Sequence, residues 1–165
     1  MSFFNKIFGK QEISNTVELC SPINGRVIKL CDVPDPTFSG EILGKGIAIC
    51  PSDNTFYAHC DGTIEMIFDT CHSVSIKSTN DIEILIHIGL ETVELNGKCY
   101  TSHVKNGQKI KKGYKLITFD KIAVSDAGYN TVTPMVICNS DEFNITEIKL
   151  GEVNVGETIL NVNKI

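Results

Sequence analysis

Short segments with a two-residue apolar period, separated by turn residues, run along most of this chain from Val17 onward. Side chains alternate between the two faces of a strand, so this period predicts strands, and no segment keeps the period of a long helix. Glycine, asparagine and aspartate separate the segments at the short intervals that antiparallel connections require. The predicted strands are VELC at 17–20, GRVIKL at 25–30, GIAIC at 46–50, GTIEMIF at 62–68, VSIKS at 74–78, DIEILIHIG at 81–89, KCYTSHV at 98–104, KLITF at 115–119, TVTPMVIC at 131–138 and GETIL at 156–160.

The pattern predicts an all-β fold, an antiparallel β-sandwich or barrel-sandwich hybrid with one or two short helices. Only ETVEL at 91–95 and residues 121–129 are predicted as short helices. The 165 residues, 42% of them hydrophobic, are enough for one domain with a stable core. We therefore predict a single domain over 15–165, preceded by a distinct head over 1–14.

The head over 1–14 has two interpretations. Three phenylalanines and Ile7 fall at helical spacing beside two lysines, which predicts a short amphipathic helix on an anionic membrane surface. A flexible terminus, or a segment packed on the domain, is the alternative for so short a stretch. The prediction is at most a weak contact with a membrane surface.

The charge balance and the cysteines exclude several classes of protein. The net charge is −5 and no basic run is interleaved with aromatic residues, whereas nucleic-acid binding needs a basic face. Seven cysteines without a CxxC pair do not fit a disulfide framework or a structural zinc site. With no secretory signal and no apolar run of about 18 residues, they predict a soluble protein of the reducing cytoplasm.

The strand DIEILIHIG holds the first candidate for chemistry. Its four isoleucines share one face, so His87 points to the opposite face, at the end of the strand. Gly89 follows two residues later, and its missing side chain is expected to leave room for a large group beside the imidazole. From this pattern alone, a histidine on a solvated strand face is the simpler interpretation.

A second histidine is brought close by a predicted hairpin. In FDTCHSVSI, an extended chain would place Thr70, His72 and Val74 on one face, where the threonine hydroxyl can bond an imidazole nitrogen and select its tautomer. The stretch VSIKSTNDIEILIH predicts strand, polar turn and strand, which would return His87 to the neighbourhood of His72. Taken alone, His72 is also consistent with an ordinary turn residue, but two histidines together predict a site.

One further motif points to a different chemistry, which we reject. VKNGQKIKKG runs on into FDKIA, which resembles the hairpin where lipoyl domains carry a modified lysine, here Lys121. The second half of that pattern is missing, because SDAGYNTVTP follows instead. We therefore interpret the likeness as shared β-sandwich construction.

Five segments of the chain are together far more specific than any short motif. They are DVPDPTFSGEILGKGIAI at 32–49, DGTIEMIFDTCHSVSI at 61–76, LIHIGLETVELNGK at 85–98, VKNGQKIKKG at 104–113 and TVTPMVICNSDE at 131–142. On these segments the chain resembles the glucose-type enzyme IIA family of the bacterial phosphoenolpyruvate-dependent sugar phosphotransferase system. The resemblance covers essentially the whole length of the chain.

The resemblance implies a phosphocarrier, a phosphotransferase component of coupled sugar uptake and phosphorylation. His87 would accept a phosphoryl group from the carrier protein HPr, as tele-phosphohistidine, and pass it to a cysteine on the IIB domain of a glucose-type permease. Imidazole suits this task, because its neutral nitrogen is nucleophilic near pH 7 and its phosphoramidate stays labile. His72 would assist the transfer, and Thr70 would orient His72. No cofactor is implied, the sugar served is not identified, and regulated permeases or metabolic enzymes are further partners that the family implies.

The resemblance also implies an apolar, shallow docking surface around the histidines, from which two successive partners exclude water. Its acidic residues would face a basic partner such as HPr. The residues assigned to this rim are Val33, Asp35, Pro36, Phe38, Ile42, Leu43, Phe68, Val74, Leu85 and Glu91. For the apolar ones, a core position is the alternative. Departures from the family pattern, such as Cys71 beside His72, leave the chemistry intact and the partner specificity open.

Two other functions stay open at this point. His72 and His87 can ligate zinc, with a third ligand from a partner or from water, and they would also be the ligands in a zinc hydrolase on a related β-sandwich. The sequence has no HxH or HExxH pair and no evident third ligand, so a metal is not required. The other alternative is a regulatory binding module that keeps the fold without the transfer, which the presence of both histidines disfavours.

Overall fold

A computed structural model describes residues 15–165 of the protein, and the amphipathic helix predicted within 1–14 lies outside the described residues. The strands are β1 (Thr16–Cys20), β2 (Gly25–Lys29), β3 (Lys45–Pro51), β4 (Thr55–Tyr57), β5 (Gly62–Ile67), β6 (Ser73–Ser78), β7 (Glu83–His87), β8 (Tyr100–Ser102), β9 (Lys109–Ile110), β10 (Lys115–Phe119), β11 (Thr133–Ile137), β12 (Phe143–Glu147), β13 (Gly151–Val153) and β14 (Thr158–Lys164). The helices are α1 (Pro36–Ser39) and α2 (Lys121–Asp126), and 3₁₀ turns span Leu30–Asp32, Thr92–Leu95 and Ser140–Glu142.

The strands of residues 15–165 pair antiparallel and form three sheets. The largest has eight strands in the order β13-β2-β3-β11-β7-β6-β5-β9, which places the predicted hairpin of β6 and β7 inside the sheet. β1, β14 and β12 form one three-stranded sheet, and β4, β10 and β8 form the other. The predicted all-β, antiparallel sandwich with short helices is confirmed.

The main core joins residues from all three sheets, and the β7 strand shows why it forms. Ile82, Ile84, Ile86 and Ile88 are all fully buried, whereas the residues between them are partly exposed. Burying each such side chain contributes about 1.5–3 kcal/mol, so the strand is held strongly with its isoleucines inward. The face predicted for His87 is therefore the one that it adopts.

A smaller apolar cluster covers part of the other face of the large sheet. Ala48 and Val136 alternate with core residues along β3 and β11, so their side chains point to that other face. The segment that contains α1 packs over them. The buried members of the cluster are Leu30, Val33, Phe38, Ala48, Leu90, Val132 and Val136.

Within residues 15–165, the sequence pattern predicts ten of the strands, the 3₁₀ turn Thr92–Leu95 and the helix α2, and it misses four strands. β4, β9 and β13 have two or three residues, too few to show a period, and β12 has only two apolar positions. The helix α1 lies between the predicted strands at 25–30 and 46–50 and is not among the predicted helices, although Asp35 caps it and Pro36 opens it, which are ordinary start signals. No helix of residues 15–165 has the length and apolarity to span a bilayer.

His59 is a buried histidine away from the predicted site. It is fully buried between the core residues Ala58 and Cys60, and neither ring nitrogen has a hydrogen-bond partner among the described residues. Burial disfavours the charged ring and lowers the pKa of His59 to about 4. The folded protein therefore holds this imidazole neutral.

We expect His59 to make the fold sensitive to mild acid. Between pH 6.5 and pH 4 the unfolded chain binds a proton on His59 and the folded chain does not, so stability falls as the pH falls through that window. The contribution is on the order of 2 kcal/mol between pH 7 and pH 5. Denaturant unfolding at several pH values should show a flatter profile for His59→Leu.

The exposed His103 provides the control. His103→Gln should keep the wild-type profile of unfolding free energy against pH. An equally steep profile in wild type and His59→Leu would contradict the assignment.

Candidate active site

The hairpin of β6 and β7 brings the two predicted histidines together. Ser73 pairs with His87 in the register, and the Ile88 N–H donates to the His72 carbonyl at 2.7 Å just beyond the strand ends. The two imidazole rings lie 4.9 Å apart between centroids, nearly perpendicular at 79°. The predicted approach of His87 to His72 is confirmed.

A backbone carbonyl decides which nitrogen of His87 is reactive. His87 Nδ1 lies 2.7 Å from the Gly89 carbonyl oxygen. Because a carbonyl can only accept, Nδ1 carries the proton, and the lone pair is on Nε2. The half-buried ring thus presents Nε2 as its free nucleophile.

Gly89 is needed for this arrangement, for a different reason from the one expected. Its φ is +83°, and a Cβ there would lie 2.5 Å from Thr92 Cγ2. Thr92 is itself fixed, since its hydroxyl donates to the Ile88 carbonyl at 2.7 Å. Glycine therefore allows the backbone turn that directs the Gly89 carbonyl at His87, whereas the sequence pattern predicts that glycine leaves space beside the ring.

A tight turn, and not an extended strand, orients His72. Cys71 has a φ of +56°, in the left-handed region, so the chain bends between Thr70 and His72. Thr70 Oγ1 lies 2.5 Å from His72 Nδ1, which confirms the predicted contact. Because of this bend, the alternation expected for an extended chain does not hold, and the Val74 side chain lies in the main core.

Burial keeps both rings neutral near pH 7. It lowers the pKa of His72 to about 4, and the neighbouring His87 adds to this effect. Burial also lowers the pKa of His87, against the opposing effects of the Gly89 carbonyl and the Asp35 carboxylate. An uncharged imidazole with a free lone pair is a nucleophile.

Two phenylalanines complete a row of four rings. The Phe38 ring lies 5.2 Å from the His87 ring, and the Phe68 ring lies 5.6 Å from the His72 ring. Phe38 comes from α1, whose cap is the Asp35 side chain, which accepts from the Thr37 N–H at 3.0 Å. The short helix thus places an aromatic ring and a carboxylate beside His87.

The predicted rim is only partly a surface. Ile42 is 72% exposed, Phe68 42% and Leu43 38%. Pro36 and Glu91 are also exposed, and Asp35 and Leu85 are half-buried.

Three rim assignments are wrong, because their side chains are buried. Val33 and Phe38 pack in the smaller apolar cluster, and Val74 is fully buried in the main core, paired with Ile86. This is the core alternative that the sequence left open for the apolar rim residues. Their role is to support the site from below.

Met66 and Val93 are exposed apolar residues that the predicted rim does not include. Met66 is 49% exposed, and its register neighbour Ser75 pairs with Leu85, so all three share the sheet face of His87. Val93 is 45% exposed in the 3₁₀ turn that follows Gly89. The sequence gives no signal for Met66, because Ile64, Met66 and Phe68 keep the apolar alternation and only the register shift between Ile64 and Met66 turns Met66 to the other face.

His72 and His87 supply two nitrogen ligands at most. Within residues 15–165, no group of three or more histidine, cysteine, aspartate or glutamate side chains is arranged to hold a metal ion. From the described residues, a metal at this position would have only these two ligands. Lys121, the rejected lipoyl position, is the first residue of α2 and is not at the tip of a hairpin.

Comparison with known proteins identifies the family. The family described as "phosphoenolpyruvate-dependent sugar phosphotransferase system, EIIA 1" matches residues 17–143. The chain belongs to this family. As an EIIA protein, it is a component of the sugar phosphotransferase system, as the sequence resemblance implied.

Relatives of this EIIA protein match over most of its length. The glucose-specific EIIA component of Bacillus cereus is 41% identical over 138 residues, 84% of each chain. That of Haemophilus influenzae is 38% identical over 161 residues, 97% of each chain. The solved structure of glucose permease IIA from Mycoplasma capricolum superposes with a TM-score of 0.83 at 33% identity, covering 88% of this chain and 95% of that one.

We expect Gly89→Ala to disturb the tautomer of His87 as well as the stability. The new methyl group meets Thr92 and the left-handed φ disfavours alanine, so the carbonyl that holds Nδ1 must shift. The loss of unfolding free energy should be about 2–4 kcal/mol, with changed imidazole ¹⁵N resonances for His87.

Gly107→Ala is the matched control, because Gly107 has a φ of +81° and a Cβ there would meet nothing within 4 Å. It should cost only about 1 kcal/mol and leave the His87 resonances unchanged. Equal losses in both variants, with wild-type His87 resonances in each, would contradict this account of Gly89.

Proposed function

We propose that this EIIA protein is a cytoplasmic phosphocarrier that accepts a phosphoryl group on Nε2 of His87 from phospho-HPr and passes it to the cysteine of a IIB domain. The observation that carries the proposal is a pair of neutral imidazoles with centroids 4.9 Å apart, one of which has its Nδ1 proton held by a carbonyl. Glucose is the proposed sugar, since the relatives named above are glucose-specific components or a glucose permease IIA.

Acceptance needs no proton transfer within the site. The lone pair of His87 Nε2 attacks phosphorus, and the P–N bond of the donor phosphohistidine breaks. If the donor ring is protonated on its other nitrogen, it leaves as a neutral imidazole. His87 keeps its Nδ1 proton and becomes a phosphorylated imidazolium, whose positive charge the Gly89 carbonyl and Asp35 stabilise.

In the onward transfer, His87 is the donor of the phosphoryl group. A cysteine thiolate of the IIB domain attacks phosphorus, the P–Nε2 bond breaks, and the electron pair returns to Nε2. His87 is again a neutral ring with its proton on Nδ1. The protein carries the phosphoryl group on its own side chain, so we propose no cofactor; zinc at His72 and His87 would need a third ligand from a partner or from water.

His72 is proposed to stabilise charge on the transferred group. When the Thr70 hydroxyl donates to His72 Nδ1, the proton of the neutral ring is on Nε2, and this N–H can donate to a phosphoryl oxygen. Phosphoryl transfer depends mainly on positioning and on such charge stabilisation. Thr70 acts through His72 and is a positioning residue.

The exposed rim suits docking partners that cover the site. Its apolar members, Ile42, Leu43 and Phe68, can be buried against a partner, which would exclude water from the transfer. Asp35 and Glu91 lie at its edge and would attract a basic partner such as HPr. No observation in the structure favours a regulatory partner over these two.

The proposal predicts separate effects of the two histidines. Incubation with phosphoenolpyruvate, enzyme I and HPr should add one phosphoryl group to the intact mass of the wild type and none to His87→Ala. His72→Gln should still accept but transfer onward to a IIB domain roughly 10²-fold more slowly. Thr70→Val should show a weaker form of the same defect.

His103→Ala removes an exposed histidine outside the site and serves as the control, with both half-reactions intact. Phosphorylation of His87→Ala would overturn the proposed acceptor. Equal loss of both half-reactions in His72→Gln would overturn the role given to His72.

A further inference from the structure

Ser73 occupies the position directly across from His87. It is the first residue of β6 and pairs with His87, the last residue of β7. The Ile88 N–H donates to the His72 carbonyl, so the neighbouring pair carries the backbone hydrogen bond and Ser73 and His87 form a non-hydrogen-bonded pair. In such a pair the two side chains point to the same face with Cβ atoms about 4.5–5.5 Å apart.

The hydroxyl of Ser73 is buried without a partner. Ser73 is 1% exposed, and its Oγ makes no hydrogen bond within residues 15–165. Other buried serines are satisfied: Ser21 Oγ donates to the Ile23 carbonyl, and Ser78 Oγ accepts from the Ile82 N–H. Since a buried hydroxyl without a partner destabilises a fold, the position calls for a bond made in another state of the protein.

The Nδ1 atoms of both histidines near Ser73 are already hydrogen-bonded. His87 Nδ1 is bonded to Gly89, and His72 Nδ1 to Thr70. Nε2 of His87 is the nitrogen proposed to carry the phosphoryl group, which brings three strong acceptor oxygens. Phosphorylation would therefore replace the single lone pair of Nε2 with three charged acceptor oxygens next to Ser73.

We propose that the Ser73 hydroxyl donates a hydrogen bond to an oxygen of the phosphoryl group carried on His87, which makes Ser73 a further catalytic residue. This inference rests on the proposed function. The bonds broken and formed are those of the transfer itself, from the donor nitrogen to Nε2, and Ser73 keeps its proton throughout. A charge-assisted bond in a buried site stabilises the phosphorylated state relative to the free state.

The test is the equilibrium constant for phosphoryl exchange between phospho-HPr and this protein. Ser73→Ala should lower it roughly tenfold. The same variant should unfold at an unchanged or higher temperature when unphosphorylated, because it removes an unpartnered buried hydroxyl. The ³¹P resonance of the phosphohistidine should shift in Ser73→Ala, which a residue with no contact to the phosphoryl group would not cause.

Ser75→Ala is the matched control. Ser75 lies on the same strand and face, one step away from the site, and pairs with Leu85. It should keep the wild-type exchange constant and the wild-type ³¹P resonance.

A wild-type exchange constant in Ser73→Ala would overturn the inference. So would a lower unfolding temperature of unphosphorylated Ser73→Ala with a wild-type ³¹P resonance, which would indicate a structural role. A wild-type protein that gains no phosphoryl group on His87 would overturn the proposed function first, and that failure is visible before any Ser73 variant is compared.

Discussion

The antiparallel register between β6 and β7 is the constraint on which the site depends. It sets Ser73 opposite His87 and joins the backbone of His72 to that of Ile88. A slip of one residue would turn His87 toward the core and an isoleucine toward the surface. The buried isoleucines of the second strand resist that slip, so apolar burial on one face of the sheet fixes the chemistry on the other.

Local backbone geometry then selects the state of each ring. Left-handed residues flank both histidines, with Cys71 before His72 and with Gly89 and Glu91 after His87. A non-glycine residue in this region costs on the order of 1–2 kcal/mol, which the surrounding packing must offset. The turn at Cys71 brings the Thr70 hydroxyl to His72, and the turn at Gly89 directs the Gly89 carbonyl at His87. Burial of both rings keeps them uncharged, as a nucleophile and its neutral helper require.

Much of this site could be predicted, because the two-residue apolar period of a strand shows which side chains share one face of the sheet. The alternation in DIEILIHIG places His87 outward, and the polar turn between two strand patterns predicts a hairpin that returns it to His72. The exposure of the rim residues was harder to predict, because apolar residues in a loop follow no period that distinguishes buried from exposed positions. Phe38 and Val33 are buried in the smaller apolar cluster, which forms where the segment that contains α1 packs over the large sheet. Ile42 and Leu43 are apolar and exposed, with no difference in sequence pattern.

By itself, the sequence determined ten of the strands, the outward face of His87, the closeness of the two histidines and the family resemblance. These follow from local alternation, turn residues and motif spacing. Only the tertiary structure decided which nitrogen of His87 is free, that Val74 lies in the core, and that the Ser73 hydroxyl has no partner among residues 15–165. Each of these depends on contacts between residues of different segments, or on a backbone angle such as that of Cys71, which no residue pattern specifies.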